Sequence, residues 1–400
     1  MAQNFDFVII GAGIVGLTVA AELRKRQPAA RVAVLEKESD PGAHASGRNS
    51  GVMHSGIYYG SDTLKAKVCA TGGRRMVEFA RAEGIAVNPS GKVILATSEK
   101  QLPTIERLMR NARENEIPAE RIDQQQLKAL EPFAAPGAAA IYCPTTAVID
   151  SSAILFRLKE KLEHQGVRFL FGCKARGPLQ RSKLNTTQGD VGYGFLFNCA
   201  GAYADTIAKQ FGLAQEFALV PFKGIYWKLS LAANHKVRAN IYPVPDIDMP
   251  FLGVHLTRVI SGDVYVGPTA IPAFGRENYG WLQGINLAES LDIGYQIAGM
   301  YLNNEDNFRK LVHAEMSKYW KRNFLNAARK LVPSLLAKEM VPTKKAGIRP
   351  QLVNTKTSRL EMDYILTTTD DSLHVLNAIS PAFTSAFAFA EVIVDRAQIH

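Results

Sequence analysis

Six residues near the start of the chain, Gly11-Ala12-Gly13-Ile14-Val15-Gly16, have the GxGxxG spacing with which a backbone turn cradles a diphosphate. The first glycine permits the tight turn, and the second lets the backbone approach the phosphates. The third lets helix and strand pack closely, with the phosphates over a helix N-terminus. Alone this pattern is common. Here an acid, Glu36, follows about 20 residues on, where a carboxylate accepts ribose hydroxyls. A plain glycine-rich turn would not call for that acid. The next segment, ASGRNSGVMHSG (45–56), is small, polar and glycine-rich, with one cation, Arg48. A nicotinamide-only domain usually continues into a helix at this point, so the loop favours a flavin dinucleotide. Two histidines, His54 and His255, are side chains able to exchange a proton near neutrality. His54 follows the glycine-rich loop by three residues. His255 lies in FLGVHLTR, and His374, at the start of a strand, reads as structural.

The elements that hold these residues follow from periodicity. FDFVII (5–10) is an apolar run, residues 14–26 make an amphipathic helix, and RVAVLE ends at Glu36: a βαβ unit of buried parallel strands. Asp150-Ser151-Ser152 can cap a helix through ILFRLKEKLEHQ, followed by the strands VRFLFG and GYGFLFNCAG. SLHVLNA reads as a further strand, leading into an apolar helix with Pro381 in its first turn. Residues 219–230 and 240–270 alternate as strands do, with a hairpin turn at Ser261-Gly262-Asp263. The reading is α/β with an α+β second domain: a Rossmann-like dinucleotide domain made of 1–85, 146–215 and 341–400. A substrate domain with a mixed sheet, 86–145 and 216–340, is inserted into it.

The chain has 400 residues, 47% hydrophobic, with net charge +10. It carries no zinc finger or RNA-recognition signature, so the charge points to anionic lipid or anionic substrate rather than nucleic acid. Its four cysteines form no CxxC pair and suggest neither zinc nor iron–sulfur. No apolar run reaches the roughly 20 residues of a membrane span. The opening MAQNFDFVIIGAG has neither a basic n-region nor a cleavage site, so a cytoplasmic location is expected, at most at the inner membrane face. Residues 309–345 are helical and basic, within an insert of about 280–340, and are the expected site of peripheral membrane contact.

GRNSGVMHSGIYYGSDTLKAKVCATG (47–72), VPFKGIYWKL (220–229), IYPVPDIDMPFLGVHLTR (241–258), VYVGPTAI (264–271), AGIRPQLV (346–353) and LHVLNAISPAFTSAFAFAE (373–391) form a more specific set. Through them the whole chain resembles the D-amino-acid oxidase-like FAD-dependent oxidoreductases, most closely the L-2-hydroxyglutarate dehydrogenase/oxidase branch. The resemblance implies a discontinuous FAD domain. It implies FAD contacts from Gly11, Gly13, Ile14, Val15, Gly16, Glu36 and Lys37, and from Ser46, Arg48, Asn49, Ser50 and Gly51. Further contacts are implied at Ala175, Ala200, Gly201 and the backbone of Pro381, Ala382, Phe383 and Thr384, although Phe383 is bulkier than the small residue such a position favours.

It also implies oxidation of a dicarboxylic 2-hydroxy acid to 2-oxoglutarate, with electrons passed to quinone or oxygen. That chemistry needs a Cα–H facing flavin N5, a base for the hydroxyl proton, and cations for the carboxylates. Arg349, in AGIRP, matches the arginine that grips the carboxylate in related amine oxidases. His54 and His255 compete as base, and in some relatives a histidine near the position of His54 instead carries the flavin covalently. Lys223 or Arg258 is expected to hold the distal carboxylate, with hydroxyl help from Tyr242 or Tyr226. The alternatives are an amine oxidase of glycine or sarcosine type, and a non-catalytic flavoprotein.

Overall fold

A computed structural model describes residues 3–245 and 251–399. Residues 246–250 of the 241–258 motif lie outside the described residues. The first strand, Gln3–Ile10, runs parallel to Val32–Leu35 on one side and Gly189–Asn198 on the other. Arg168–Leu170 extends the sheet beyond Val32–Leu35, and Ser372–Leu376 joins Gly189–Asn198 in parallel. These strands are apolar on both faces because both are covered. Ile9, Val32, Val34 and Phe197 pack beneath the helices Ile14–Arg26, Ser151–His164 and Ala382–Arg396. Val8, Ala33, Leu35 and Leu196 face Leu184 and Ile207 on the other side. The helix Ile14–Arg26 is less amphipathic than its sequence suggests: Ile14 through Ala20 are all buried, since it lies between the sheet and the C-terminal helix. Asp150 caps its helix as expected, accepting from the Ser152 and Ala153 N–H groups. Pro381 stands just before its helix, which starts at Ala382, rather than inside the first turn. All four cysteines are buried and unpaired.

A second sheet runs in the order Arg359–Leu360, Met340–Asn354, Phe217–Leu229, Val264–Gly267, His255–Arg258, Asn240–Pro243, Lys92–Ala96, Ala139–Cys143 and Glu120–Ile122. The hairpin at Ser261-Gly262-Asp263 forms, pairing His255 with Gly267 and Arg258 with Val264. One boundary differs from the sequence reading. Met340–Asn354 pairs with Phe217–Leu229 along nearly its whole length and Arg359–Leu360 pairs back on it, so the chain returns to the first sheet only with Ile365–Thr368, not at 341.

Residues 309–345 are largely helical, through Phe308–Met316 and Lys321–Arg329, with Phe324, Leu325, Ala328 and Leu331 buried. Much of their positive charge is engaged. Arg309 donates to the Tyr301 and Leu302 carbonyls, Lys318 pairs with Glu315, and Arg329 donates to the Leu335 carbonyl. The exposed feature beside them is apolar. Leu287, Leu291, Tyr295 and Leu302 recur at helical spacing along Leu287–Asn303, between 67% and 77% exposed, and Trp281, stacked on Tyr319, and Trp320 are exposed too, at 87% and 73%. Among the described residues no helix is long and apolar enough to cross a membrane.

Candidate active site

A cavity of about 790 Å³ is lined from both sheets. Its first group of walls is the glycine turn. Gly11 sits at φ +103, and a Cβ there would lie 2.6 Å from the Cys199 carbonyl oxygen. Only glycine lets the strand ends approach so closely. The helix N-terminus opens onto the cavity through Gly13, Ile14 and Val15. The Ile14 N–H donates to Ser46 Oγ at 3.0 Å, tying the later loop to this turn. Glu36 ends the second strand as expected, with its carboxylate accepting from the Ala12 N–H at 2.8 Å and the Glu38 N–H at 3.0 Å. Lys37, Ala175, Ala200 and Gly201 complete this region.

Ser46, Arg48, Asn49 and Ser50 line the cavity, as do Pro381, Ala382, Phe383 and Thr384 at the start of the C-terminal helix. The helix N-terminus offers N–H groups without intrahelical partners to an anionic ring system. Two expected contacts are absent from the walls. Gly16 packs against the backbone of Gly11, and Gly51, at φ +72, packs against the Ile149 carbonyl, so both support the cradle from behind.

The same cavity also collects His54, Tyr226, Tyr242, His255 and Arg349. The strand His255–Arg258 alternates its faces, which turns His255 inward. The His255 Nδ1 lies 3.0 Å from the Gly253 carbonyl oxygen. A carbonyl only accepts, so the proton sits on Nδ1 and Nε2 keeps its lone pair. The ring stacks on Tyr242 with centroids 3.9 Å apart and planes 16° apart. Burial, opposed by the Gly253 bond, lowers its pKa to about 3. His54 is likewise lowered to about 3, by burial first and then by Lys92, His255 and Arg349. Its backbone N–H donates to Thr384 Oγ1 at 3.2 Å, and neither ring nitrogen is bonded among the described residues. Both histidines are therefore neutral in the fold. His374 is structural as read, bonded to Asn198 and Ser372.

Lys223 and Arg258 do not reach the cavity. Lys223 is one residue from the inward Gly224 and Arg258 three from the inward His255, both odd offsets, so the pleat turns each to the opposite face. The Lys223 ammonium donates to the Gly280 carbonyl, and Arg258 donates to the Val237 carbonyl at 3.1 Å. Lys345, the last cation of the basic stretch, does not line the cavity either, but it stands beside Tyr226, which does. Lys345 lies 4.5 Å from the Tyr265 ring centroid and 5.7 Å from that of Tyr226. Burial lowers its pKa, and among the described residues it has no acid partner.

Sequence reasoning also missed the loop Arg276, Glu277 and Tyr279, which reaches from the second sheet to the dinucleotide region. Tyr279 stacks on His44 and lies under the Arg48 guanidinium at 4.0 Å. Arg276 pairs with buried Asp205. Glu277, Glu38 and His44 converge, but the Lys37 ammonium sits among them, 2.6 Å from Glu277, so the group is an ion-pair knot. A polar RENY run between two glycines was the available signal.

The glycine cradle, the acid at the second strand's end and the two helix N-termini fit FAD. The comparisons agree. The family model for FAD dependent oxidoreductases (DAO) matches residues 6–396. The chain is 34% identical over 415 residues to L-2-hydroxyglutarate dehydrogenase of Indibacter alkaliphilus, covering 99% of both. It is 34% identical to the enzyme of that name from Escherichia coli K12, covering 98% of this chain and 93% of the relative. It is 32% identical to the mitochondrial one of Homo sapiens, covering 99% and 89%. In fold it resembles L-alpha-glycerophosphate oxidase from Mycoplasma pneumoniae with FAD bound, at TM-score 0.78 and 20% identity over 100% of this chain and 96% of that one. With the cradle and the match spanning nearly every residue, the chain belongs to the DAO family of FAD-dependent oxidoreductases.

Proposed function

We propose that this protein oxidises L-2-hydroxyglutarate to 2-oxoglutarate, passing the electrons on to quinone or, less efficiently, to oxygen. The carrying observation is the pairing of His255, with its free Nε2 lone pair, and Arg349 in the cavity that fits FAD. Bound FAD supplies the hydride acceptor. Arg349 presents a planar fork to the carboxylate beside the reacting carbon, fixing which face of that carbon is turned to the cofactor site. His255 Nε2 takes the hydroxyl proton as the C–H bond breaks. A neutral histidine is needed for that, and burial keeps it neutral. Lys345 takes the distal-carboxylate role expected of Lys223 or Arg258. His54, held by Thr384 at the helix start, lines the site without the bond that would fix its tautomer. The Tyr226 and Tyr242 rings exclude water around the reacting atoms. The relatives named L-2-hydroxyglutarate dehydrogenase support this substrate.

A glycine- or sarcosine-type amine oxidase would use Arg349 in the same way but needs no distal cation. Incubating the protein with L-2-hydroxyglutarate and an artificial electron acceptor, then identifying the keto acid, tests the reading. Formation of 2-oxoglutarate is expected. Turnover of glycine alone would overturn it.

For electron delivery, the exposed ridge Leu287, Leu291, Tyr295 and Leu302, on a chain of net charge +10, supports contact with an anionic phospholipid surface. Sedimentation with acidic vesicles should fall when Leu287 and Leu291 are changed to Asp. Unchanged sedimentation would reject the contact.

A further inference from the structure

Lys92 opens the strand Lys92–Ala96, where a lysine normally reaches for solvent, yet it is 0% exposed. Among the described residues its Nζ has no hydrogen-bond partner. The amine instead lies over two aromatic faces, 4.6 Å from the Tyr58 ring centroid and 5.4 Å from that of Tyr242. Tyr242 is the ring on which His255 stacks. With the Tyr242 and His255 centroids 3.9 Å apart, the amine is within about 10 Å of the His255 ring, and it acts electrostatically on both His54 and His255. Burial lowers its pKa, with Cys143 and Cys69 opposing that, and no carboxylate among the described residues neutralises it. A lysine buried without an acid is costly, and an apolar side chain of the same length would fill the space at less cost. Such a group behind the wall of a site, where Tyr242 lines the cavity, is more readily explained by what it does for the site.

We propose that Lys92 is a buried cation, held by the faces of Tyr58 and Tyr242, that favours doubly negative ligands in the cavity without touching them. It is a specificity-determining residue acting through space. In water a charge this distant would be screened; behind an aromatic wall it is not. The two rings contribute cation–π attraction that offsets part of the desolvation. The inference rests on the proposed dicarboxylate substrate and adds a determinant that lies outside the contact shell.

The test uses the FAD-loaded protein and two unreactive ligands of equal length: glutarate, with two charges, and its half-amide, with one. Binding is read from the perturbed flavin absorbance, with no turnover. In Lys92→Met, glutarate affinity should fall about tenfold while the half-amide stays within about twofold. The melting temperature should be no lower than that of the wild type, because a desolvated amine has been removed. Lys92→Gln should reproduce the selective loss. Equal weakening of both ligands, or of neither, would overturn the proposal. So would loss of FAD or of folding in both variants, which would mark a structural lysine. If the wild type binds neither ligand and no 2-hydroxy acid reduces its flavin, the proposed function itself fails. If the wild type prefers glutarate and Lys92→Met keeps that preference, only the role of Lys92 fails.

Discussion

Replacing Gly11 with alanine should cost the protein its FAD before it costs the fold. The residue sits at φ +103, a conformation that side-chain-bearing residues adopt at a penalty of about 1–2 kcal/mol. Its new Cβ would lie 2.6 Å from the Cys199 oxygen and 3.1 Å from the Cys199 carbonyl carbon, both backbone atoms that no rotamer change can move aside. Relief requires the turn and the end of the strand Gly189–Asn198 to separate. The hydrogen bond from Cys199 N–H to the Ile10 carbonyl at 2.9 Å holds that junction, and the one from Gly11 N–H to the Leu35 carbonyl at 2.7 Å ties the turn to the strand on its other side. Weakening them adds about 1 kcal/mol. The total, about 2–3 kcal/mol, falls on Gly11, Ala200 and Gly201, which line the dinucleotide region, so FAD affinity should drop about thirtyfold to a hundredfold. Titrating apoprotein with FAD and following flavin fluorescence measures this. Gly299→Ala is the control, a helical glycine with nothing within 4 Å of the added Cβ. It should leave FAD affinity unchanged and stabilise the fold by up to about 1 kcal/mol. An FAD affinity for Gly11→Ala within about threefold of the wild type would refute the steric reasoning.

His255→Gln should slow flavin reduction by about a hundredfold or more in stopped-flow while FAD remains bound, and an unchanged rate would move the base elsewhere. Arg349→Lys keeps the charge but loses the fork, so substrate affinity should fall about tenfold or more in the same assay. Lys345→Met should weaken L-2-hydroxyglutarate more than L-lactate; equal weakening would remove it from distal-carboxylate binding. Acid should destabilise the fold through the two cavity histidines. Their folded pKa values, each about 3, lie below the unfolded value near 6.5, so the unfolded chain takes up protons first. Stability is full above about pH 6.5 and falls toward about pH 3, by up to about 1.4 kcal/mol per unit for each histidine. Urea unfolding of the double variant His54→Gln/His255→Gln should show a flatter pH dependence across that window.

The dinucleotide half was legible because its signals are local. An apolar strand, a glycine turn and an acid at the next strand's end fall within 36 residues, and the structure closes them on one another through Glu36 and Ala12. The substrate half was less legible, because which face of a strand meets the cavity is decided by the whole sheet. That is why Lys223 and Arg258, both in distinctive motifs, point away while Tyr226 and His255 point in. The strand Met340–Asn354 opens with Pro342, Lys344 and Lys345, which read as the end of a basic insert. Its long pairing with Phe217–Leu229 overrides that local polarity. Lys92 was hidden in the same way. At the start of KVILA it looks like a solvated strand end, and only the folding of Tyr58 and Tyr242 over it makes it interior.

Anaerobic mixing of the FAD-loaded protein with L- and D-2-hydroxyglutarate, glycine and sarcosine, read by bleaching of the flavin, bears most directly on the assignment. Rapid bleaching by the L-hydroxy acid alone, with one 2-oxoglutarate formed per flavin reduced, is the predicted result. Bleaching by an amino acid and not by L-2-hydroxyglutarate would contradict it.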